Sequence, residues 1–283
     1  MMLTQSAPAK LNLFLHITGK REDGYHLLDS LVVFTEFADQ ITFTKSSDFR
    51  FSCSGAYSEH IDPVHNLVTQ AIQNLAETHP HVSNIRIHLE KNIPVGGGLG
   101  GGSSDAAATL LALNRFFALD IPIEQLFETG LTIGADIPVC LMASSAHMTG
   151  IGENVSPVHC PNLSLLLVNP GIQIPTKEVF QNRQTSAIHQ KHAELPNLKD
   201  YPALIHFLKE QDNDLFESAS SLYPVLKNVI HEISLQEGCD LARMSGSGAT
   251  CFGIFEHQAH AEKARDLIKK RHPDWFVRVT HTL

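Results

Sequence analysis

Six of the seven residues from Gly96 to Gly102 are glycine. They sit in the run Pro94-Val95-Gly96-Gly97-Gly98-Leu99-Gly100-Gly101-Gly102-Ser103-Ser104-Asp105, just before an alanine- and leucine-rich stretch, 106–119. Upstream, 85–90 alternates apolar and polar as a half-buried strand does. Strand, glycine loop and helix in that order make an anion site. Glycine tolerates positive φ and lets the backbone approach a ligand. The first amides of the helix then point at negative charge, and the helix dipole favours it there. A plain turn needs far fewer glycines.

Familiar nucleotide loops fit this run poorly. Gly97 and Gly102 have the Walker A spacing, but Ser103 stands where the lysine belongs. Gly96, Gly98 and Gly101 satisfy a dinucleotide fingerprint, as poly-glycine satisfies many patterns. That fingerprint also needs an acid ending the next strand. Asp120 has the distance but directly follows the helix stretch. The H-R-D and D-F-G motifs of protein kinases are absent from the sequence.

Two charged residues lie in apolar surroundings. Lys10 falls within 9–17, AKLNLFLHI, where a period of two places it on one face with Asn12. It reads either as a functional lysine or as a strand-edge lysine whose head snorkels to water. Asp136 lies in the apolar stretch 133–141, just ahead of Pro138. It reads either as a helix cap or as a carboxylate able to accept a proton. A second glycine motif, Met244-Ser245-Gly246-Ser247-Gly248, is a tight turn or another close backbone approach.

These residues need elements to hold them. The patterning predicts strands over 9–17, 28–37, 40–44, 85–90, 163–168 and 275–280, and another following the second glycine motif within 241–255. It predicts helices over 66–78, 106–119, 123–132, 203–209, 213–234 and 257–271. Ser103, Ser104 or Asp105 would cap the helix after the loop. The polar stretch 181–202 reads as a loop, and no internal repeat is visible.

A chain of 283 residues suits two domains. Acidic residues exceed basic ones, 30 to 21, for a net charge of −9. With no basic run, nucleic acid is not an expected partner. Anionic ligands then depend on local amides and single lysines. Five cysteines without C-x-x-C spacing read as reduced thiols, hence a cytoplasmic protein. The first ten residues do not read as a signal peptide, and no window reads as a membrane span. The 17 histidines are scattered without H-E-x-x-H, and His79 and His81 around Pro80 read as a surface turn. Metal ligands are not assigned from sequence.

The glycine loop resembles the phosphate loop of the GHMP kinases. The resemblance extends to Pro8-Ala9-Lys10-Leu11-Asn12-Leu13, Arg21-Glu22-Asp23-Gly24-Tyr25-His26, Gly134-Ala135-Asp136-Ile137-Pro138 and Ser245-Gly246-Ser247-Gly248-Ala249-Thr250. Gly24-Tyr25-His26 points to the branch that phosphorylates a cytidine-diphosphate-linked methylerythritol in non-mevalonate isoprenoid synthesis. A homoserine- or mevalonate-type kinase is the alternative.

The resemblance implies an α+β, two-domain GHMP kinase fold. Residues 1–155 would form an ATP-binding domain with a ribosomal-protein-S5-like arrangement. Residues 156–283 would form a ferredoxin-like domain, with the active-site cleft between the two. Whether the last strand returns to the first domain stays open. The resemblance further implies Lys10 and Asp136 as the catalytic pair, and Asn12, Tyr25, His26, Thr176 and Phe180 as contacts for the cytidine substrate. ATP would meet Asn66, Leu67, Lys91, Pro94, Gly96, Gly97, Gly98, Leu99, Gly100, Gly101, Gly102, Ser103 and Ser104, with Mg2+ accompanying the nucleotide. Tyr25 and Phe180 would stack on the two faces of the pyrimidine, and His26 would read its edge. The oligomeric state is not legible.

Overall fold

The computed structural model describes residues 2–183, 189 and 195–283. In chain order its elements are β1 (Met2–Asn12), β2 (His16–Lys20), β3 (His26–Lys45), β4 (Arg50–Ser54), α1 (Leu67–Thr78), β5 (Ile85–Glu90), α2 (Gly101–Phe117), α3 (Ile123–Ile133) and α4 (Ile137–Met142). Then come β6 (Ala146–Gly150), β7 (Asn154–Pro157), β8 (Ser164–Asn169), α5 (Thr176–Gln181), α6 (Tyr201–Lys209), α7 (Phe216–Leu222), α8 (Val225–Ser234), β9 (Cys239–Met244), β10 (Cys251–Phe255), α9 (Gln258–Arg271) and β11 (Phe276–His281).

The contacts group into two units. The first comprises Met1–Lys10, Phe37–Val95 and Gly100–Ala143; the second comprises Leu11–Glu36, Gly96–Leu99 and Ser144–Leu283. In the first, β5 pairs antiparallel with the end of β3, Gln40 opposite Glu90, and parallel with β4, Arg50 opposite Arg86. Alternation sends Ile85, Ile87 and Leu89 inward and Arg86, His88 and Glu90 outward. α1 buries Val68, Ala71, Ile72 and Leu75 at helical spacing and packs on α2. A reciprocal cap starts α1: Asn66 accepts the Thr69 N–H, and the Thr69 side chain accepts the Asn66 N–H. α2 is buried along most of its length, from Ser104 to Leu110 without a break, so its alanines are contact surface rather than filler.

In the second unit, β2 and β6 pair with the start of β3, and β7 pairs with β6. A separate antiparallel sheet runs β11-β8-β10-β9, with α8 and α9 packed against it. Strand, helices, two strands, helix and strand in chain order, with the strands in this spatial order, form the ferredoxin-like arrangement. Its core includes Leu166, Val168, Leu226, Val229, Ile233, Phe255 and Ile268.

Several predicted bounds shift for visible reasons. The strand expected over 9–17 is interrupted after Asn12. There Leu13 donates to Leu31 O and Leu15 to Asp212 O, so the backbone changes partners. The strands expected over 28–37 and 40–44 are one, because Asp39 continues the ladder with its carboxylate turned inward. The helix expected over 213–234 is two, interrupted at Tyr223 and Pro224. Part of the loop expected over 181–202 lies outside the described residues, and Tyr201 already opens α6.

Candidate active site

The glycine run is held differently along its length. Gly98 has φ +73°, and a β-carbon on it would stand 2.3 Å from Ser245 O and 2.9 Å from Gly248 O. Backbone therefore packs on backbone, with Ser245 Oγ donating to Gly98 O at 2.8 Å and Thr250 N to Gly97 O at 3.0 Å. The second glycine motif is thus a support for the first. Gly100 has φ +61°, and its β-carbon would meet Lys10 Cε at 3.0 Å and Cβ at 3.2 Å. The lysine stem fits only because Gly100 has no side chain.

α2 starts at Gly101, with Gly100 as N-cap and no side-chain cap. This corrects the expected capping by Ser103, Ser104 or Asp105. Ser104 Oγ, buried, donates to Pro8 O at 2.7 Å, and Asp105 turns to Lys91. The Ser104 N–H closes the first turn on Gly100 O. The amides of Gly101, Gly102 and Ser103 precede it and have no intrahelical acceptor, which is the arrangement that receives an anion.

Lys10 Nζ donates to Asp136 Oδ2 at 3.0 Å. The lysine side chain is 4% exposed and that of the aspartate 37%, so a buried cation backs a carboxylate open to solvent. Asp136 occupies the N-cap position of α4, yet its side chain makes no capping bond. The capping alternative is not what this carboxylate does. Asn12, on the same face of β1, is fixed twice: its Nδ2 donates to Ser30 Oγ at 2.8 Å and its N–H to Ser245 Oγ at 3.1 Å. Asn213 Nδ2 donates to the carbonyls of Met244 and Gly246, both at 2.8 Å, and so holds the second glycine motif.

Among the residues expected at ATP, Leu67 lies beneath Gly102, 3.3 Å from where a β-carbon would be. Asn66 serves as the α1 cap. Lys91 is buried, with its ammonium on Asp39 and Asp105 rather than facing solvent. Among the residues expected at the cytidine substrate, the His26 and Phe180 rings stack at 4.9 Å, 28° apart. Burial, with the charges of Lys20 and Arg183, holds His26 below the usual imidazole range, which favours the neutral ring. Tyr25 is 58% exposed on a turn where its N–H donates to Asp23 Oδ1. Thr176 Oγ1 lies 2.9 Å from Ser247 Oγ, against the second glycine motif. Sequence reasoning missed Ser30, Asp39, Asp105 and Asn213, whose partners lie far along the chain.

His16, His189 and Asp214 bring possible metal ligand atoms within 4.8 Å of one another. Both imidazoles meet the same atom, Asp214 Oδ1, from His16 Nδ1 at 3.3 Å and His189 Nε2 at 3.1 Å, and the rings stack at 4.1 Å and 21°. The trio reads as a hydrogen-bonded cluster.

Two family models match the chain: the GHMP kinases N terminal domain over residues 66–144 and the GHMP kinases C terminal over 194–274. The chain belongs to the GHMP kinase family and is a kinase. Within that family it is 42% identical, over 288 residues, to the 4-diphosphocytidyl-2-C-methyl-D-erythritol kinase of Chelativorans sp. (strain BNC1), covering 100% of this chain and 97% of the relative. The enzyme of that name from Rhodospirillum rubrum is 38% identical over 275 residues, 96% of this chain and 90% of the relative. A crystal structure of 4-(cytidine 5'-diphospho)-2C-methyl-D-erythritol kinase superposes with a TM-score of 0.81 at 32% identity, covering 99% of this chain and 100% of that one. Homoserine kinase from Cytophaga hutchinsonii, at TM-score 0.71 and 18% identity over 100% and 94% of the two chains, shares the fold.

Proposed function

We propose that this kinase transfers the γ-phosphoryl group of ATP to the 2-hydroxyl of 4-diphosphocytidyl-2-C-methyl-D-erythritol. The observation that carries the chemistry is the Lys10–Asp136 contact at 3.0 Å beside the glycine run. The substrate assignment is supported by full-length relatives of that activity and by Gly24-Tyr25-His26.

In this reading the amides of Gly101, Gly102 and Ser103 hold ATP phosphate oxygens. Asp136 orients the acceptor hydroxyl and takes its proton as the oxygen–phosphorus bond forms and the bridging oxygen leaves with ADP. Lys10 stabilises negative charge growing on the transferred group, an effect typically worth about 10²–10³ in rate. It also keeps the Asp136 carboxylate aimed. Tyr25, His26 and Phe180 take the cytosine, while Asn12 and Thr176 line the same substrate. Asn66 and Leu67 stand at the ATP side through α1.

Magnesium accompanying ATP would supply charge neutralisation at the phosphate groups. The donors fit a hard cation: Ser103, half-buried in the first turn of α2, offers a hydroxyl oxygen, and magnesium otherwise keeps phosphate and water ligands. Ser104 is turned inward to Pro8 O. The five free cysteines fit a cytoplasmic protein. No helix among the described residues is long and apolar enough to cross a membrane.

The test is ADP release from ATP and the cytidine substrate by wild type and Asp136→Asn. The isosteric variant is expected to bind ATP normally and to lose at least about 10²-fold in kcat. Turnover within a few-fold of wild type would leave Asp136 without a chemical role.

A further inference from the structure

Lys91 follows β5 and is clamped at its backbone. Its N–H donates to Ser54 O at 2.7 Å, and its carbonyl accepts from Tyr57 N at 3.1 Å. The side chain runs inward to Asp39 Oδ2 and Asp105 Oδ2, each 2.5 Å from Nζ. All three side chains are almost wholly buried. A β-carbon on Gly101 would lie 3.1 Å from Lys91 Nζ and 2.9 Å from Ile93 Cγ2. The ammonium therefore forms the floor under the first residue of α2. Asp39 builds the wall as well, since its Oδ1 accepts the N–H of Asn92 at 2.5 Å and of Ile93 at 2.8 Å.

Buried ion pairs are a poor source of stability, because desolvation offsets most of the attraction. Their value here is placement. We propose that Asp39 and Asp105 are positioning residues for the ATP-binding amides of α2, acting through the Lys91 ammonium they hold beneath Gly101, with Asp39 the less replaceable of the two because its carboxylate also holds the backbone of Asn92 and Ile93. This rests on the reading that the first turn of α2 receives the triphosphate.

The two acids are not equivalent. Asp39 accepts three hydrogen bonds over both oxygens, one from the ammonium and two from backbone N–H groups. Asp105 accepts one, and its Oδ1 has no partner among the described residues. Burial pushes the Asp105 carboxyl well above the usual carboxylate range despite the pull of Lys91, and the charge of Asp39 adds to the rise. Burial works against the Lys91 ammonium too, but the charges of Asp105 and Asp39 prevail and hold it above the ordinary lysine range.

The experiment uses the full chain. It measures ATP affinity by calorimetry, KM for ATP and for the cytidine substrate, and Tm. Asp105→Ala leaves the ammonium held from one side and is expected to raise the KM and Kd for ATP about 10- to 100-fold, as a displaced positioning group does. The KM for the cytidine substrate should stay within about two-fold. Asp105→Asn should rescue ATP binding to within about three-fold, because an amide oxygen can take over the one bond that Asp105 accepts from Lys91. Asp39→Asn should not be rescued, because its NH2 faces either Lys91 or two backbone N–H groups. If Asp105→Ala does not fold, the contrast between Asp105→Asn and Asp39→Asn decides. Equal ATP defects in those two overturn the inequality of the two acids. Equal rises in both KM values, or a change in Tm alone, overturn the positioning role. Gly100→Val, which forces a β-branched side chain onto φ +61° and onto Lys10, is the control for the underlying reading. Normal ATP affinity in that variant means the loop does not take the triphosphate. Weak affinity there with none lost in Asp39→Asn means that only this inference fails.

Discussion

Phe180 enters the substrate question already paired, its ring stacked on His26, while Tyr25 stands exposed on the preceding turn. On the proposed reading, a cytosine taken up by these rings would replace the His26–Phe180 contact or extend that stack. We expect Tyr25→Ala and Phe180→Ala each to raise the KM for the cytidine substrate and to leave the KM for ATP nearly unchanged. Loss of one stacked face removes about 1–3 kcal/mol, roughly 5- to 150-fold in affinity. The two losses should not add, because a base released on one face shifts on the other. A double-mutant cycle measures this, and strict additivity would separate the two rings. At this scale Lys10 and Asp136 stood out as charges within apolar segments, but the residues alone left each open between a structural and a chemical use, and only the resemblance paired them. Asp39 and Asp105 did not stand out. They meet Lys91 from 52 and 14 residues away, and no local spacing encodes such a contact. Asp105 read as a cap because it sits near a helix start; its carboxylate is committed elsewhere.

The element that ties the start of the chain to its second half is the segment after α6. His16 in β2 meets Gln211 Oε1 through Nε2 at 3.0 Å and Asp214 Oδ1 through Nδ1 at 3.3 Å. Asp214 Oδ2 accepts the Ile17 N–H at 2.7 Å. Burial pulls the His16 imidazole down, but the hydrogen bonds to Asp214 and Gln211 and the charges of Asp214 and Asp29 carry it above its ordinary 6.5. Asp214 is held below its ordinary range: burial opposes this, and the bonds from His16 and Ile17 outweigh it.

The folded state thus binds the His16 proton more tightly than the unfolded chain does. Its contribution is fully present below the ordinary histidine range and is lost as pH rises through the folded value. That of Asp214 is lost as pH falls below the ordinary carboxylate range. His26, held low, works in the opposite sense over this window, so the His16 share is read as a difference: between about pH 6 and pH 8 the Tm of wild type should fall relative to that of His16→Gln in thermal melts of both proteins. An unchanged slope in the variant would remove His16 from the account.

Elements with clean periodicity were legible: 85–90 is β5, with Ile85, Ile87 and Leu89 buried as alternation requires. α2 was placed five residues late, because Gly101 and Gly102 are poor helix formers. At Gly101 a β-carbon would crowd Ile93 and Lys91, so glycine stands inside the first turn despite its low helix propensity; at Gly102 Leu67 Cδ1 would lie 3.3 Å away. α4, six residues opened by Asp136 and Pro138, is too short to show a period.

At the scale of the whole molecule, the net charge of −9 requires that polyanionic substrates be drawn by local groups rather than by a general field. The chain places those groups in repeated form: two glycine motifs packed backbone to backbone, uncapped helical amides, and two lysines whose charges are each set against buried or half-buried acids. Family membership was legible because its motifs are short, ordered and spread over the length of the chain. Acceptor choice is a finer matter, since kinases for homoserine and mevalonate share this fold at 18% and 14% identity. The most direct measurement is kcat/KM for 4-diphosphocytidyl-2-C-methyl-D-erythritol, homoserine and mevalonate with the same purified protein at saturating ATP. The account predicts that the cytidine substrate exceeds both others by at least about 10²-fold, since pocket groups built for its base and diphosphate stay unpaired with the small acids. Equal or faster phosphorylation of homoserine or mevalonate would contradict it.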